Sequence, residues 1–156
     1  MAAGDMTAAR KRTVADMIGR GRIVQLPGTA SVREASFLMA RERVGAVLVT
    51  GADGRLDGIF TERDALNRLL AKHLDVDKTA LSEVMTSGPT TVSPDSLAID
   101  ALRLMRDGGF RHLPVVGDGR VVGVISLRDF VGAELAAIED EFDFRIHFAE
   151  GPGRRP

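Results

Sequence analysis

Apolar positions along the chain fall into short blocks with two different periods. Ala98, Ala101, Leu102 and Met105 stand at i, i+3, i+4 and i+7, one face of a helix, and Gly108-Gly109 closes it. Two short apolar runs follow, over 113–116 and 121–125. Joined by Gly117-Asp118-Gly119, they read as the strands of a hairpin. Pro114 has no N–H to give to a ladder, which predicts an edge or a strand start. A further helix is predicted from near Leu127. The same succession occurs earlier in the chain: a helix over 32–41, strands over 46–50 and 55–60, and a helix from Glu62.

The two successions are copies. Gly58-Ile59-Phe60-Thr61-Glu62-Arg63-Asp64 returns as Gly123-Val124-Ile125-Ser126-Leu127-Arg128-Asp129, 65 positions later. Ala35-Ser36-Phe37-Leu38-Met39 returns as Ala101-Leu102-Arg103-Leu104-Met105 at an offset of 66, and Val14-Ala15-Asp16-Met17 resembles Leu81-Ser82-Glu83-Val84. The extra residue of Gly51-Ala52-Asp53-Gly54 over Gly117-Asp118-Gly119 absorbs the change of offset. Matches that keep their order and nearly their spacing mean internal duplication. The units run over 13–75 and 80–136, leaving 137–156 as an extension. Each reads strand, helix, strand, strand, helix. Such a unit is too small to bury much surface alone, so an α+β fold is expected in which two pseudo-symmetric repeats pack sheet to sheet. Met17, Met39, Met85 and Met105 are expected in the core.

Composition narrows the function. The 156 residues carry 21 Lys+Arg against 22 Asp+Glu, a net charge of -1, which offers no field to attract nucleic acid or an anionic membrane. The terminal clusters Arg10-Lys11-Arg12 and Arg154-Arg155 read as solvated tails. No apolar run approaches the roughly 20 residues of a membrane-spanning helix, and no hydrophobic leader core follows Met1, so a cytoplasmic protein is expected. The absence of Cys excludes disulfides, thiol nucleophiles and thiolate metal sites, and three separated His make a metal site unexpected. No nucleophile elbow, P-loop or metalloprotease motif is present, and no catalytic function is expected.

Thr61-x-x-Asp64 and Ser126-x-x-Asp129 each follow an apolar strand and open a helix. This is a capping box, in which the hydroxyl accepts from a free helix N–H and the carboxylate reaches back. It is equally a place for a nucleotide. Unpaired N–H groups suit phosphate, an Asp beside them can accept from both hydroxyls of a ribose, and Arg63 or Arg128 could approach phosphate. Gly58 and Gly123 keep the backbone low where a ligand could lie. Paired acids for glycoside chemistry are a third, weaker reading, because duplication alone places one Asp in each repeat.

The ordered set of motifs, found twice, resembles tandem cystathionine-β-synthase (CBS) domains, the Bateman module. It comprises Gly-apolar-x-[Thr/Ser]-x-Arg-Asp in both copies, Arg111-His112-Leu113-Pro114-Val115-Val116 in the second, and Val84-Met85-Thr86 opening the second. The resemblance implies a regulatory module that binds AMP, ADP, ATP, NAD or S-adenosylmethionine in clefts between the repeats. No cofactor beyond such a ligand is expected, and because the two repeats and two short ends fill residues 1–156, a protein partner in trans is expected. By resemblance, Asp64 with Thr61 shares a cleft with Thr90 and Thr91, and Asp129 with Ser126 shares the mirror cleft with Ile23 and Val24. Arg111 and His112 match positions that face phosphate, whereas the first copy has Gly45 and Ala46 there, so the two clefts are unequal in charge. Alternatives stay open: His112 as a strand cap, Arg63 and Arg128 as solvated charges, and a structural CBS dimer with no ligand.

Leu66, Leu69 and Leu70, with Phe130, Val131 and Leu135, form apolar stripes after each motif. The resemblance implies that two modules pair into a flat homodimer over such stripes. In the extension, Phe142, Phe144, Ile146 and Phe148 alternate with Asp143, Arg145, His147 and Ala149. This period of two predicts a strand that docks on its own module or on a second subunit, the alternative being a helix continued from Glu134.

Overall fold

The computed structural model describes residues 11–19 and 23–149, the last eight of them as backbone. The first repeat contributes β1 (Gln25–Leu26), α2 (Val32–Glu42), β2 (Ala46–Thr50), β3 (Leu56–Thr61) and a helix that opens as α3 (Glu62–Asp64) and continues as a π-helical turn (Ala65–Leu70). The second contributes α5 (Ala98–Gly108), β5 (His112–Gly117), β6 (Arg120–Ser126), a 3₁₀ turn (Leu127–Asp129) and α6 (Gly132–Ala149). Each repeat opens with one helical turn, α1 (Val14–Met17) and α4 (Leu81–Val84), the latter running into β4 (Thr86–Ser87).

Local chemistry accounts for the boundaries. Ser31 caps α2 by accepting from the Glu34 N–H at 3.1 Å. Both long first helices end on a left-handed residue, Arg43 at φ 55° and Gly109 at φ 68°. Asp118 and Gly119, at φ 51° and 74°, make the two-residue turn between β5 and β6 that matches strand twist. Pro114 lies inside β5, not at its start. Its carbonyl faces Val92, and so does its ring nitrogen; on that side the strand makes a single bridge, Val92 to Val115, which needs no N–H from residue 114.

Strands β1, β2, β3 and β4 form one sheet in that order, β1 parallel to β2 and the rest antiparallel; β5 and β6 form the second. Strand β2 is buried on both sides. Val47 and Val49 face the helices, while Ala46 and Leu48, with Ile59, face Val121 and Val124 of the other sheet. The layers are therefore helices, sheet, sheet, helices, as the duplicated pattern implied. Met17, Met39 and Met105 are buried and Met85 packs against the first core.

The repeats exchange their opening turns. Val14 and Met17 sit in the core of the second repeat, with Ala101, Leu102, Met105 and Ile125. Leu81 and Val84 sit in the core of the first, with Val32, Val47 and Phe60. Backbone bridges fasten each exchange, Thr13 to Leu97 and Ser31 to Ala80. This gives Gly58 and Gly123 a packing role besides the one the ligand argument gave them. A Cβ on Gly58 would stand 2.5 Å from Met85 Sδ and 2.8 Å from the Thr86 carbonyl oxygen, and one on Gly123 would stand 3.0 Å from Ile18. Both glycines admit the segment that has crossed over.

Four expectations need correction. The opening strand expected in the second repeat is reduced to the single bridge of Val92 to Val115. The extension is not a strand: Gly132–Ala149 is one continuous helix. No Gly or Pro interrupts 133–149, and Leu135, Ile138, Phe142 and Ile146 also fit a helical stripe, so the helix saturates its own backbone where a lone strand would need a partner edge. The second helix of repeat two starts at Gly132, after the 3₁₀ turn at Leu127. Leu69 and Phe130 are buried core residues, leaving Leu66, Leu70, Val131 and Leu135 exposed. Among the described residues no helix is long and apolar enough to cross a membrane.

Candidate functional site

Each hydroxyl-x-x-Asp motif stands where an inner strand ends. Thr61 closes β3 and its hydroxyl accepts from the Asp64 N–H at 3.3 Å. Asp64 Oδ2 accepts from the Thr61 N–H at 3.0 Å and from its hydroxyl at 3.2 Å. The second copy repeats this: Asp129 Oδ2 accepts from the Ser126 N–H at 2.6 Å and its hydroxyl at 3.2 Å. The capping box is thus real in both repeats, and it consumes one carboxylate oxygen in each. Capping and ligand binding need not compete for the same atom.

The remaining oxygens differ. Asp64, 8% exposed, directs Oδ1 to the Thr86 hydroxyl at 3.3 Å and the Arg68 Nε at 3.6 Å. Among the described residues Asp129 Oδ1 has no such contact, and this Asp is only half-buried. Its backbone carbonyl accepts from Arg12 Nη2 at 2.9 Å, while Arg12 Nη1 pairs with Glu134 at 3.0 Å. Arg12 thereby ties the N-terminal segment to the second motif and to α6. Arg12 is therefore not part of a solvated tail, as its basic cluster suggested, and Arg68, Thr86 and Phe110 were not expected at the site. Arg68 is four residues beyond Asp64, and Thr86 lies in the Val84-Met85-Thr86 motif, so both had a signal; nothing in the basic cluster at 10–12 pointed to the second motif.

Each motif opens onto a cavity walled by both repeats. The one at Asp64, about 750 Å³, gathers Thr61, Arg63, Thr90, Arg111, His112 and Gly45 of the expected residues, with Ile59 and Phe110 as apolar walls. The one at Asp129, about 250 Å³, gathers Ser126, Arg128, Ile23, Ala46, Gly45 and His112, with Ile18 and Val24 as apolar walls. Of the residues expected at the two clefts, Thr91 alone lines neither cavity, although its neighbour Thr90 lines the one at Asp64. Ligand pockets run to about 300–1,000 Å³, so the first has room for a whole nucleotide and the second is cramped. Arg111 lines the Asp64 cavity and not the other. With Arg63 and Arg68 it sets three cations against Glu62 and Asp64, whereas Arg128 faces Asp129 alone in the smaller cleft. Arg63 is not idle: it donates to the Gly109 carbonyl at 2.8 Å, linking the first motif to the end of α5.

A third cavity, about 930 Å³, lies over the helices. Leu66, Leu70, Leu127 and Leu135 line it together with Arg43 and Arg111. His112 stands where all three cavities meet. Burial pushes its imidazole below the ordinary histidine range, against the pull of Glu62 and Asp129 and with the help of Arg128 and Arg111. Among the described residues no cluster of His, Cys, Asp or Glu could hold a metal ion.

The sequence profile of the CBS domain matches this chain twice, over residues 14–71 and 81–136. The chain belongs to the CBS domain family, as a tandem pair. A CBS domain-containing protein of Arabidopsis thaliana is 36% identical over 118 residues, 76% of this chain but 22% of that protein. The chain thus spans about a fifth of the length of the plant CBS relatives it matches. A solved CBS domain protein of Pyrobaculum aerophilum, complexed with AMP, is 34% identical with a TM-score of 0.73, covering 82% of this chain and 98% of that one. A solved CBS-domain protein of Agrobacterium tumefaciens is 31% identical with a TM-score of 0.69, over 81% of this chain and 98% of that one.

Proposed function

We propose that this CBS pair is a cytoplasmic regulatory module that binds an adenine nucleotide and acts on a protein partner in trans, without catalysing a reaction. The reading is carried by one observation: each motif Asp, its capping done with a single oxygen, lies in a cavity walled by both repeats. In this reading Asp64 and Asp129 take the ribose hydroxyls, assisted by Thr61 and Ser126. Ile59 and Phe110, or Ile23 and Val24, flank the adenine. Arg111, His112 and the motif Arg63 and Arg128 face phosphate. The relative complexed with AMP supports the ligand class. AMP, ADP, ATP, NAD and S-adenosylmethionine are the candidates, and a shift of the melting temperature by one of them is the test. A ligand at 100 times its Kd adds about 2.7 kcal/mol of stability, while a panel that leaves the melt unmoved removes the reading.

The module is further proposed to work as a homodimer. Leu66, Leu70, Val131 and Leu135 are exposed, three of them around one cavity, and an apolar face of this kind is covered in a two-fold pair by its own copy. Light scattering is expected to give twice the chain mass at tens of micromolar; a monomer there counts against the pairing.

A further inference from the structure

The pseudo-symmetry of the two repeats breaks at one pair of positions. Ala46 pairs with Thr61 across β2 and β3, and His112 pairs with Ser126 across β5 and β6, so these two residues hold the same place beside the two motifs. One repeat has a methyl group there and the other an imidazole. The imidazole reaches toward the first repeat, where Gly45 makes room. A Cβ on Gly45 would stand 3.0 Å from His112 Cε1 and 3.1 Å from Nε2. His112 and Gly45 both line the Asp64 cleft and the Asp129 cleft. One ring thus serves two clefts.

Resting on the nucleotide reading above, we infer that the two clefts compete for the His112 imidazole, so that a phosphate-bearing ligand in one weakens a phosphate-bearing ligand in the other. A neutral imidazole has one N–H donor and one acceptor nitrogen, and it can give its proton to one anion at a time. Burial favours that neutral form by lowering the pKa of His112 below the ordinary histidine range. The charges facing it, Glu62 from α3, Arg128 and Asp129 from the 3₁₀ turn and Arg111 beside it, include no second histidine to serve the other cleft. In this reading the two ring nitrogens serve different clefts, so that a ring turning its donor to an anion in the Asp64 cleft would present its acceptor edge toward the Asp129 cleft. An acceptor repels phosphate. The nucleoside portion of either ligand is untouched by this exchange, so the antagonism belongs to the phosphate.

Calorimetry with AMP and with adenosine tests the inference. The Asp64→Asn chain, titrated below the Kd of its weakened Asp64 cleft, reports how AMP binds the Asp129 cleft with its neighbour empty, and the second step in the unaltered chain reports the same cleft with its neighbour full. The full neighbour is expected to weaken AMP by about 5- to 150-fold, the usual span of coupling between sites. Adenosine is expected to show no such loss, and His112→Ala to shrink the AMP effect at least fivefold. Asp129→Asn reads the same coupling from the other side, as linkage requires. Equal AMP affinity with the neighbour full or empty overturns the inference. So does a coupling that survives His112→Ala with less than a fivefold reduction, or an Asp129 cleft that takes no AMP with its neighbour empty. These results leave nucleotide binding at Asp64 standing, whereas no binding of AMP or adenosine at either cleft overturns both.

Discussion

The Asp129→Asn chain is expected to fold normally and to lose affinity for an adenine nucleotide at its cleft by about tenfold or more. Asn keeps one carbonyl oxygen, which can go on accepting from the Ser126 N–H now held at 2.6 Å, so the cap survives. The second oxygen becomes an NH₂, a donor where a ribose hydroxyl needs an acceptor. Loss of a charged hydrogen bond is worth about 1.5–3 kcal/mol, which is the source of the tenfold. Asp64→Asn is expected to show the same loss at its own cleft with a small cost in stability besides. Its second oxygen already meets Thr86 and Arg68, but Arg68 is nearly half exposed, so the pair adds under about 1 kcal/mol. Titration calorimetry reads the affinities and thermal melts read the stabilities. If both chains bind nucleotide as the unaltered one does, the carboxylates only cap, and the ribose mechanism fails.

Leu81→Ala is expected to cost about 2–5 kcal/mol, the range for emptying a leucine site in a packed core. Leu81 has no exposed surface and packs with Val32, Val47 and Phe60, although it belongs in sequence to the second repeat. The cavity therefore opens in the first repeat. Because α1 fills the second core in the same way, neither repeat keeps its core without the other, and the pair is expected to unfold in a single transition. Denaturant titration of the Leu81→Ala chain should show one shifted midpoint by both far-ultraviolet and tertiary probes. Two separated transitions, or a cost below about 0.5 kcal/mol as for an ordinary surface change, would show that the exchanged turn is not part of the first core.

Much of this architecture was legible before any coordinates. The i, i+3, i+4, i+7 spacing of Ala98, Ala101, Leu102 and Met105, the Asp118-Gly119 turn and the apolar run of β2 are local patterns, and each became the element it signals. Duplication, visible as an ordered set of matches, implied pseudo-symmetry, the family resemblance implied two clefts, and the spacing of Thr61 with Asp64 and Ser126 with Asp129 sufficed for two capping boxes. Other features depend on which segments meet. Nothing in the sequence around Leu81 says that its side chain fills the neighbouring repeat, since an apolar turn carries no address. Gly58 and Gly123 looked like openings for a ligand because a glycine reports only that something lies close, not what; Met85, Thr86 and Ile18 do. The alternation at 142–148 fits a strand, yet α6 runs through it, because a helix satisfies its own backbone and a strand there needed an edge to join. The division of labour between carboxylate oxygens, and the single imidazole shared across Gly45, belong to tertiary structure alone. Both are set by distances of about 3 Å between atoms far apart in the chain, which no local pattern encodes.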